Sequence, residues 1–409
     1  MNTELPKDWK LVKLGDVCKT TTGGTPSRAK SKYYGGSIPW VKSGELNHNV
    51  ITDTEEKITK SALENSNAKI FPAGTLLIAL YGATIGKLAF LGIDATTNQA
   101  VCAIYKSDAV ESKYLFNFLH YKKQFLVKQS FGGAQPNISQ TILRNLDLPL
   151  PPLPEQHCIV EKLEELFSEL EKGKEQLHAA LDQLKVYRQA VLKYAFEGKL
   201  TNKNVKDSEL PKGWKWKQLR DITSVLGDGL HGTPEYLDNG DYYFINGNNL
   251  SEGKIVLKDN TKRVSSAEYE KHKKNLNEST ILVSINGTLG NTAFYNNEKV
   301  ILGKSACYFN VSDHIDKHYV RYILSSYRFL NFADETATGS TIKNVSLKSM
   351  REFEIPLPPT LEEQHRIVEE IESRLSVADK LEETITASLQ QSETLRQSIL
   401  KKAFEGKLG

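Results

Sequence analysis

The stretch EQHCIVEKLEELFSEL (Glu155–Leu170) returns as EQHRIVEEIESRLSVA (Glu363–Ala378). Each copy follows a proline-rich entry and opens a segment of about 44 residues ending in FEGKL, with apolar residues at heptad spacing. In the first these are Leu163, Leu166, Leu170, Leu177, Leu184 and Val191; in the second, Ile371, Ala378, Leu381, Ile385, Leu395 and Ile399. Pro154 suits a first helical turn, TLEE (Thr360–Glu363) has the form of a capping box, and Gly198 and Gly406 suit left-handed C-caps. At 1.5 Å per residue each helix is roughly 65 Å long, too long for an ordinary globular helix.

The duplication extends over the chain. LPKDWKLVKLGDV (Leu5–Val17) recurs as LPKGWKWKQLRDI (Leu210–Ile222), GTLLIALYGATIGKLAF (Gly74–Phe90) as STILVSINGTLGNTAF (Ser279–Phe294), and RQAVLKYAFEGKL (Arg188–Leu200) as RQSILKKAFEGKL (Arg396–Leu408). Each repeat therefore reads as a mixed globular part followed by one long helix. Apolar runs at Leu76–Leu80 and Ile281–Ile285 end at Tyr81-Gly82 and Asn286-Gly287, as strands entering turns do. Ala100–Tyr105 and Ala306–Val311 read as further strands, and 112–129 and 315–332 as amphipathic helices.

Acidic residues crowd the start of each long helix and basic residues its end, so antiparallel packing sets unlike charges side by side, whereas a parallel intermolecular coiled coil would oppose like charges. The expected fold class is α+β: two tandem α/β domains and two long antiparallel helices forming a coiled coil, with a pseudo-two-fold axis and a circular repeat organisation that brings FEGKL near LPKDW. The expected boundaries are 1–153 and 201–359 for the domains, 154–200 and 360–409 for the helices.

Composition narrows the function. The chain has 409 residues, 39% of them hydrophobic, with no run of eighteen apolar residues and no apolar leader after Met1, so a cytoplasmic protein is expected. Cys18, Cys102, Cys158 and Cys307 are scattered without a CxxC pair, which argues for small buried hydrophobes over zinc or disulfides. The net charge is only +3. Segments 155–199 and 362–407 hold 14 Lys and Arg against 19 Asp and Glu, leaving 39 against 31 elsewhere, so the basic excess lies in the globular parts.

Catalytic motifs fail on inspection. GDGLHG (Gly227–Gly232) is followed by Thr233-Pro234 where a dinucleotide site needs a helix, and GATIGKL (Gly82–Leu88) has Leu88 where a phosphate loop needs Ser or Thr. His314 and His318 lack a third metal ligand, and the EGK segments at Glu197 and Glu405 lack an upstream acidic partner. No Asn/Asp-Pro-Pro-aromatic motif is found.

The tandem parts, GGTPSRAKSKYYGGSIPWVKSGEL (Gly23–Leu46), GATIGK, TTNQAV, PLPPLPEQH and the FEGKL ends together resemble the specificity subunit of type I restriction-modification enzymes over essentially the whole chain. The resemblance implies two target-recognition domains that each read one half of a bipartite asymmetric double-stranded DNA target, with no catalytic site. It implies as partners two methyltransferase subunits, which use S-adenosylmethionine, and two ATP-dependent restriction subunits; S-adenosylmethionine, ATP and Mg2+ belong to those partners, none being bound by this chain, and no membrane is involved.

The candidate DNA contacts are polar, basic and glycine-flanked loop residues. In the first domain they are Thr25, Ser27, Arg28, Lys30, Lys32, Tyr33, Lys42, Ser43, Tyr81, Lys87, Gln135 and Asn137; in the second, His231, Thr233, Tyr236, Asn246, Asn248, Asn249, Asn286, Lys304, Thr341 and Lys343. Asn and Gln can pair bidentately with adenine and Arg or Lys with guanine, while Lys on phosphate fixes register only. Asn246–Asn249 also reads as a plain turn. Two readings stay open beside this one: an enzyme that methylates or cuts DNA without a partner, and a coiled-coil scaffold that does not retard duplex DNA.

Overall fold

The computed structural model describes residues 5–131, 136–202, 205–206, 209–339 and 342–408. The chain forms two compact units, Met1–Leu177 with Ala387–Gly409, and His178–Thr386. Each unit holds one globular head, the beginning of the long helix that follows that head in sequence, and the end of the other long helix.

Within the first unit, strands Thr20–Thr22, Val101–Ile104, Leu76–Ala79, Leu88–Leu91 and Asn49–Ile51 form a five-stranded sheet in that spatial order. A three-stranded sheet pairs Tyr34–Val41 with Glu56–Ile58 antiparallel and with Thr96–Thr97 parallel. The second unit repeats the plan: Thr223–Asp228, Ala306–Val311, Thr280–Ser284 and Thr292–Phe294 in one sheet, and Tyr242–Ile245 between Arg263–Val264 and Val300–Leu302 in the other. A two-stranded ribbon closes each head, Lys10–Lys13 on Asp147–Leu150 and Lys215–Gln218 on Glu354–Leu357, so the strand leaving each head lies beside the one entering it.

Both long helices span 44 residues, Leu153–Phe196 and Leu361–Phe404. In the first unit Lys174 pairs with Glu393 at 3.3 Å and Glu171 with Arg396 at 3.1 Å; in the second, Arg188 reaches Asp379 at 2.6 Å and Glu382 at 2.7 Å. In the first unit rising numbers on one helix meet falling numbers on the other, the antiparallel arrangement that the charge pattern predicts. Leu163, Val191, Ile371 and Ala378 are buried, but Leu381 and Leu395 are about half exposed, and the second helix closes its seam on Leu400, Ala403 and Phe404 instead.

The duplicated EQH has a physical reason. Trp9 Nε1 donates to Glu155 at 2.8 Å, and Trp214 Nε1 to Glu363 at 2.9 Å. The neighbouring glutamines are fully buried. Gln156 accepts from the Glu111 amide and donates to the Ala109 and Pro151 carbonyls, while Gln364 accepts from the Asp316 amide and donates to the His314 carbonyl. A buried amide without such partners costs about 1–3 kcal/mol per lost bond, so each helix start is held to its head in one orientation. Thr360 caps the Glu363 amide at 3.2 Å, but the Glu363 carboxylate takes the tryptophan, so only half of the expected capping box forms.

The helix ends complete the heads. Gly406 (φ 67°) leaves no room for a Cβ against Pro6, and Gly198 (φ 73°) none against Pro211, which brings FEGKL onto LPKxW in both units. Phe404 lies among Tyr114, Phe118 and Tyr121, with ring centroids 5.2–5.7 Å away, and Phe196 lies on Tyr319 at 5.3 Å.

Two expectations need correction. The segment 315–332 is two helices, Lys317–Leu324 and Tyr327–Thr336, broken where the Ser326 hydroxyl turns back to the Ile323 carbonyl; the first head keeps one helix, Ser112–Lys128. Cys18, Cys102 and Cys307 are buried, whereas Cys158 is exposed. Burial pushes the Cys18 thiol up to about 11 and the Cys102 thiol up to about 12, and raises that of Cys307.

A thiol reagent at pH 7.5 should therefore modify the native protein once, at Cys158, and Cys158→Ser should abolish the fast phase; two or more fast thiols would contradict this packing. Phe404→Ala should lower the stability of the first unit by about 3–5 kcal/mol in urea unfolding, and a loss under about 1 kcal/mol would mean that the C-terminal turn is not part of that core.

Candidate nucleic-acid interface

In the first unit the loop after strand Thr20–Thr22 carries Thr25, Ser27, Arg28, Lys30 and Lys32, all exposed. The loop is fixed from beneath: Tyr34 Oη donates to the Pro26 carbonyl at 2.6 Å and Trp40 Nε1 to the Gly24 carbonyl at 3.0 Å. Arg28 lies over the Tyr34 and Trp40 rings, 4.3 and 5.0 Å from their centroids, and grips both oxygens of Glu56 at 3.2 and 2.7 Å. That hydrogen bonding holds the Glu56 carboxyl below the usual carboxylate range. Lys30 reaches the hydroxyl of Tyr33, which is itself buried.

Beside this loop, Lys42 and Ser43 begin a 3-10 turn whose Glu45 carboxylate accepts the Lys42 amide at 2.7 Å, and the Lys42 ammonium pairs with Glu55 at 2.7 Å. A second cluster forms where the Gly82–Thr84 turn joins two sheet strands. Asn137 bridges to both Tyr81 and Phe131, and Lys87 donates to Asn47 at 2.9 Å. Gln135 lies outside the described residues, as does Thr341 in the second unit.

In the second unit Asn286 bridges to Asn344, its amide donating to the Asn344 Oδ1 at 3.0 Å, and Thr338 bridges to the same residue. Asn344, and not Lys343, is thus the counterpart of Asn137. Asn-Ile-Ser at 137–139 and Asn-Val-Ser at 344–346 carried that signal in the sequence. Lys343 is instead exposed and ion-paired with Asp334. A cleft of about 260 Å3 opens between Asp228, His231, Lys304, Asn344 and Ser346, with His231 Nε2 at 2.6 Å from Asp228. Lys304 is exposed at its rim, and its amide donates to the Leu230 carbonyl.

The remaining candidates divide by burial. Thr233, Tyr236 and Asn248 are exposed. Asn246 is half-buried and accepts from the Ser305 hydroxyl at 2.9 Å; Asn249 is buried, accepting the Asn246 amide and donating to the Val256 carbonyl. Asn246–Asn249 is indeed a turn, and Asn248 is the part of it that faces solvent.

Matching hydrogen bonds align the two heads residue by residue. The Asn98 amide donates to the Val41 carbonyl as Gly303 does to Ile245, and Leu80 to Ala100 as Ile285 does to Ser305. Lys42 then corresponds to Asn246, Glu45 to Asn249, Gln99 to Lys304 and Tyr81 to Asn286. The frames coincide and the side chains they present do not. Reasoning from sequence did not single out Glu45, Glu55, Glu56 or Asp228, because no carboxylate was weighed as a contact, nor Asn344, which stands beside the cationic Lys343. Among the described residues no three or more metal-capable side chains gather, and no helix is long and apolar enough to cross a membrane.

The family model for the type I restriction modification DNA specificity domain matches residues 6–178 and again 211–391. A specificity subunit of the type I restriction enzyme MjaIX from Methanocaldococcus jannaschii is 26% identical over 90% of this chain and 87% of its own length; that of EcoDI from Escherichia coli is 26% identical over 99% and 90%. Among solved structures, a chain from work on assembly and conformational transition of the type I R-M system superposes with a TM-score of 0.72 at 21% identity, over 99% of this chain and all of its own. The HsdS subunit from Thermoanaerobacter tengcongensis gives 0.60 at 20%, covering all of this chain and 99% of its own. These two show the fold. With the specificity-domain model matched once in each head, the chain belongs to the type I restriction-modification specificity subunits.

Proposed function

We propose that the two heads are target-recognition domains that read unlike halves of a bipartite, asymmetric duplex DNA target, and that the chain recruits methyltransferase and restriction subunits to it without a catalytic site of its own. The observation that carries this reading is the pair of equal scaffolds bearing unequal exposed side chains: one frame, used twice with different readers, recognises two different half-sites. The basic excess of the globular parts supplies the sequence-independent attraction to phosphate.

On this reading the long helices are a ruler. A helix of 44 residues is about 66 Å long, and half-sites one turn of B-DNA apart, about 34 Å, face the same side of the duplex. The chain itself takes no cofactor; S-adenosylmethionine, ATP and Mg2+ serve two methyltransferase and two restriction subunits.

Co-expression with methyltransferase subunits, followed by mapping of methylated adenines, tests the assignment. A gapped target with two different halves is expected, whereas methylation by this chain alone would overturn it. Inserting four residues into one long helix should lengthen the gap and leave both half-sites unchanged. Lys304→Ala should relax the second half-site only, by about 1–3 kcal/mol if Lys304 contacts a base edge; a phosphate contact would instead lower affinity evenly and reduce the salt slope by about one. Equal relaxation of both half-sites would contradict two independent readers.

A further inference from the structure

The same position in the two heads carries inverted charge. In the first, Trp40 pairs with Glu56 across the antiparallel strands. In the second, Tyr243 pairs with Arg263 and the Phe244 amide donates to the Lys262 carbonyl, which places Lys262 where Glu56 stands. The facing loops also correspond, Gly24-Thr25-Pro26-Ser27-Arg28 with Gly232-Thr233-Pro234-Glu235-Tyr236. Arg28 over Trp40 and gripped by Glu56 therefore becomes Tyr236 beside Phe244, with ring centroids 6.1 Å apart and Lys262 Nζ 5.8 Å from the Tyr236 ring. The aromatic floor is kept while the two groups above it are exchanged, cation plus carboxylate for phenol plus ammonium.

We propose that Glu56 and Lys262 are specificity-determining residues, each acting in a trio, Trp40, Arg28 and Glu56 in the first head and Phe244, Tyr236 and Lys262 in the second, and that the first trio reads a G·C pair. The proposal rests on the DNA-reading assignment above. A G·C pair presents to the major groove two acceptors on guanine beside one donor on cytosine. Arg28 and Glu56 offer the complementary set, donors beside acceptors, and both are solvent-accessible, the side chains being 54% and 35% exposed. Glu56 also works against wrong contacts. Phosphate offers acceptors alone, so a phosphate that drew Arg28 away would leave the carboxylate unpaired beside a second anion. The second trio presents an ammonium and a phenol with no carboxylate, so it favours acceptor-rich edges and tolerates phosphate.

The test is selection of bound duplexes from a randomised pool by the assembled complex with methyltransferase subunits, comparing the unaltered chain with Glu56→Gln and Lys262→Glu. Glu56→Gln should tighten binding to non-cognate duplex and reduce the preference at one position of the first half-site by about tenfold, with the second half-site untouched. Lys262→Glu should change one position of the second half-site only. The double variant Arg28→Gln, Glu56→Gln removes both charges of the pair together, so that neither is left unpartnered, and guards against a folding effect: it should lose the preference at that same position with an unchanged thermal midpoint. Unchanged base preferences in both single variants, or a preference at the affected position for a pair other than G·C, would overturn the proposal. Failure of the unaltered chain to select two half-sites would instead overturn the assignment on which it rests.

Discussion

A primary amide removed from water must find its partners inside the protein, and Gln156 and Gln364 do so at the two places where a head meets a long helix. Each binds the chain just ahead of a head helix, and beside each a glutamate holds a tryptophan from the head's first residues. The direction in which a helix leaves its head is set by these contacts, because any other direction strands buried polar groups at a cost of about 1–3 kcal/mol each. Helix direction then dictates which residues of the other helix can pack alongside. The phenylalanine and left-handed glycine that end that helix finish the core of the same head.

This arrangement separates stability from recognition. The cores hold sheet, head helices and helix ends, and they follow one plan in both units. The loops that differ are fixed from beneath by backbone hydrogen bonds and a few aromatic groups, such as Trp40 and Tyr34 under the 24–28 loop. A side chain on that floor can change from arginine to tyrosine without disturbing the frame. Loops are where such change is tolerated, since their side chains add little to the core.

Much of the fold was legible in the sequence because it was written twice: repeated blocks, heptad apolar residues and terminal glycines give elements and helix direction. What escaped had local physical causes. Leu381 and Leu395 fit the heptad pattern yet are about half exposed, whereas Leu400, Ala403 and Phe404, which pack into the core of the first head, are buried. Ser325-Ser326 breaks a helix whose counterpart has His120-Tyr121 there and continues. In the candidate interface, Arg28, Lys42 and Lys87 could be named as cations, but not their partners Glu56, Glu55 and Asn47, which lie 13 to 40 residues away. Asn344 was concealed by the cationic Lys343 beside it, and Tyr33 and Asn249 read as surface groups but are buried, each at the end of a 3-10 turn.

The central claim is that one frame carries two interchangeable readers. Its most direct measurement is a chain in which residues 6–150 are replaced by residues 211–357, co-expressed with methyltransferase subunits, with methylated adenines mapped. The account predicts a target in which the second half-site occurs twice across an unaltered gap. Persistence of the original asymmetric target would contradict it.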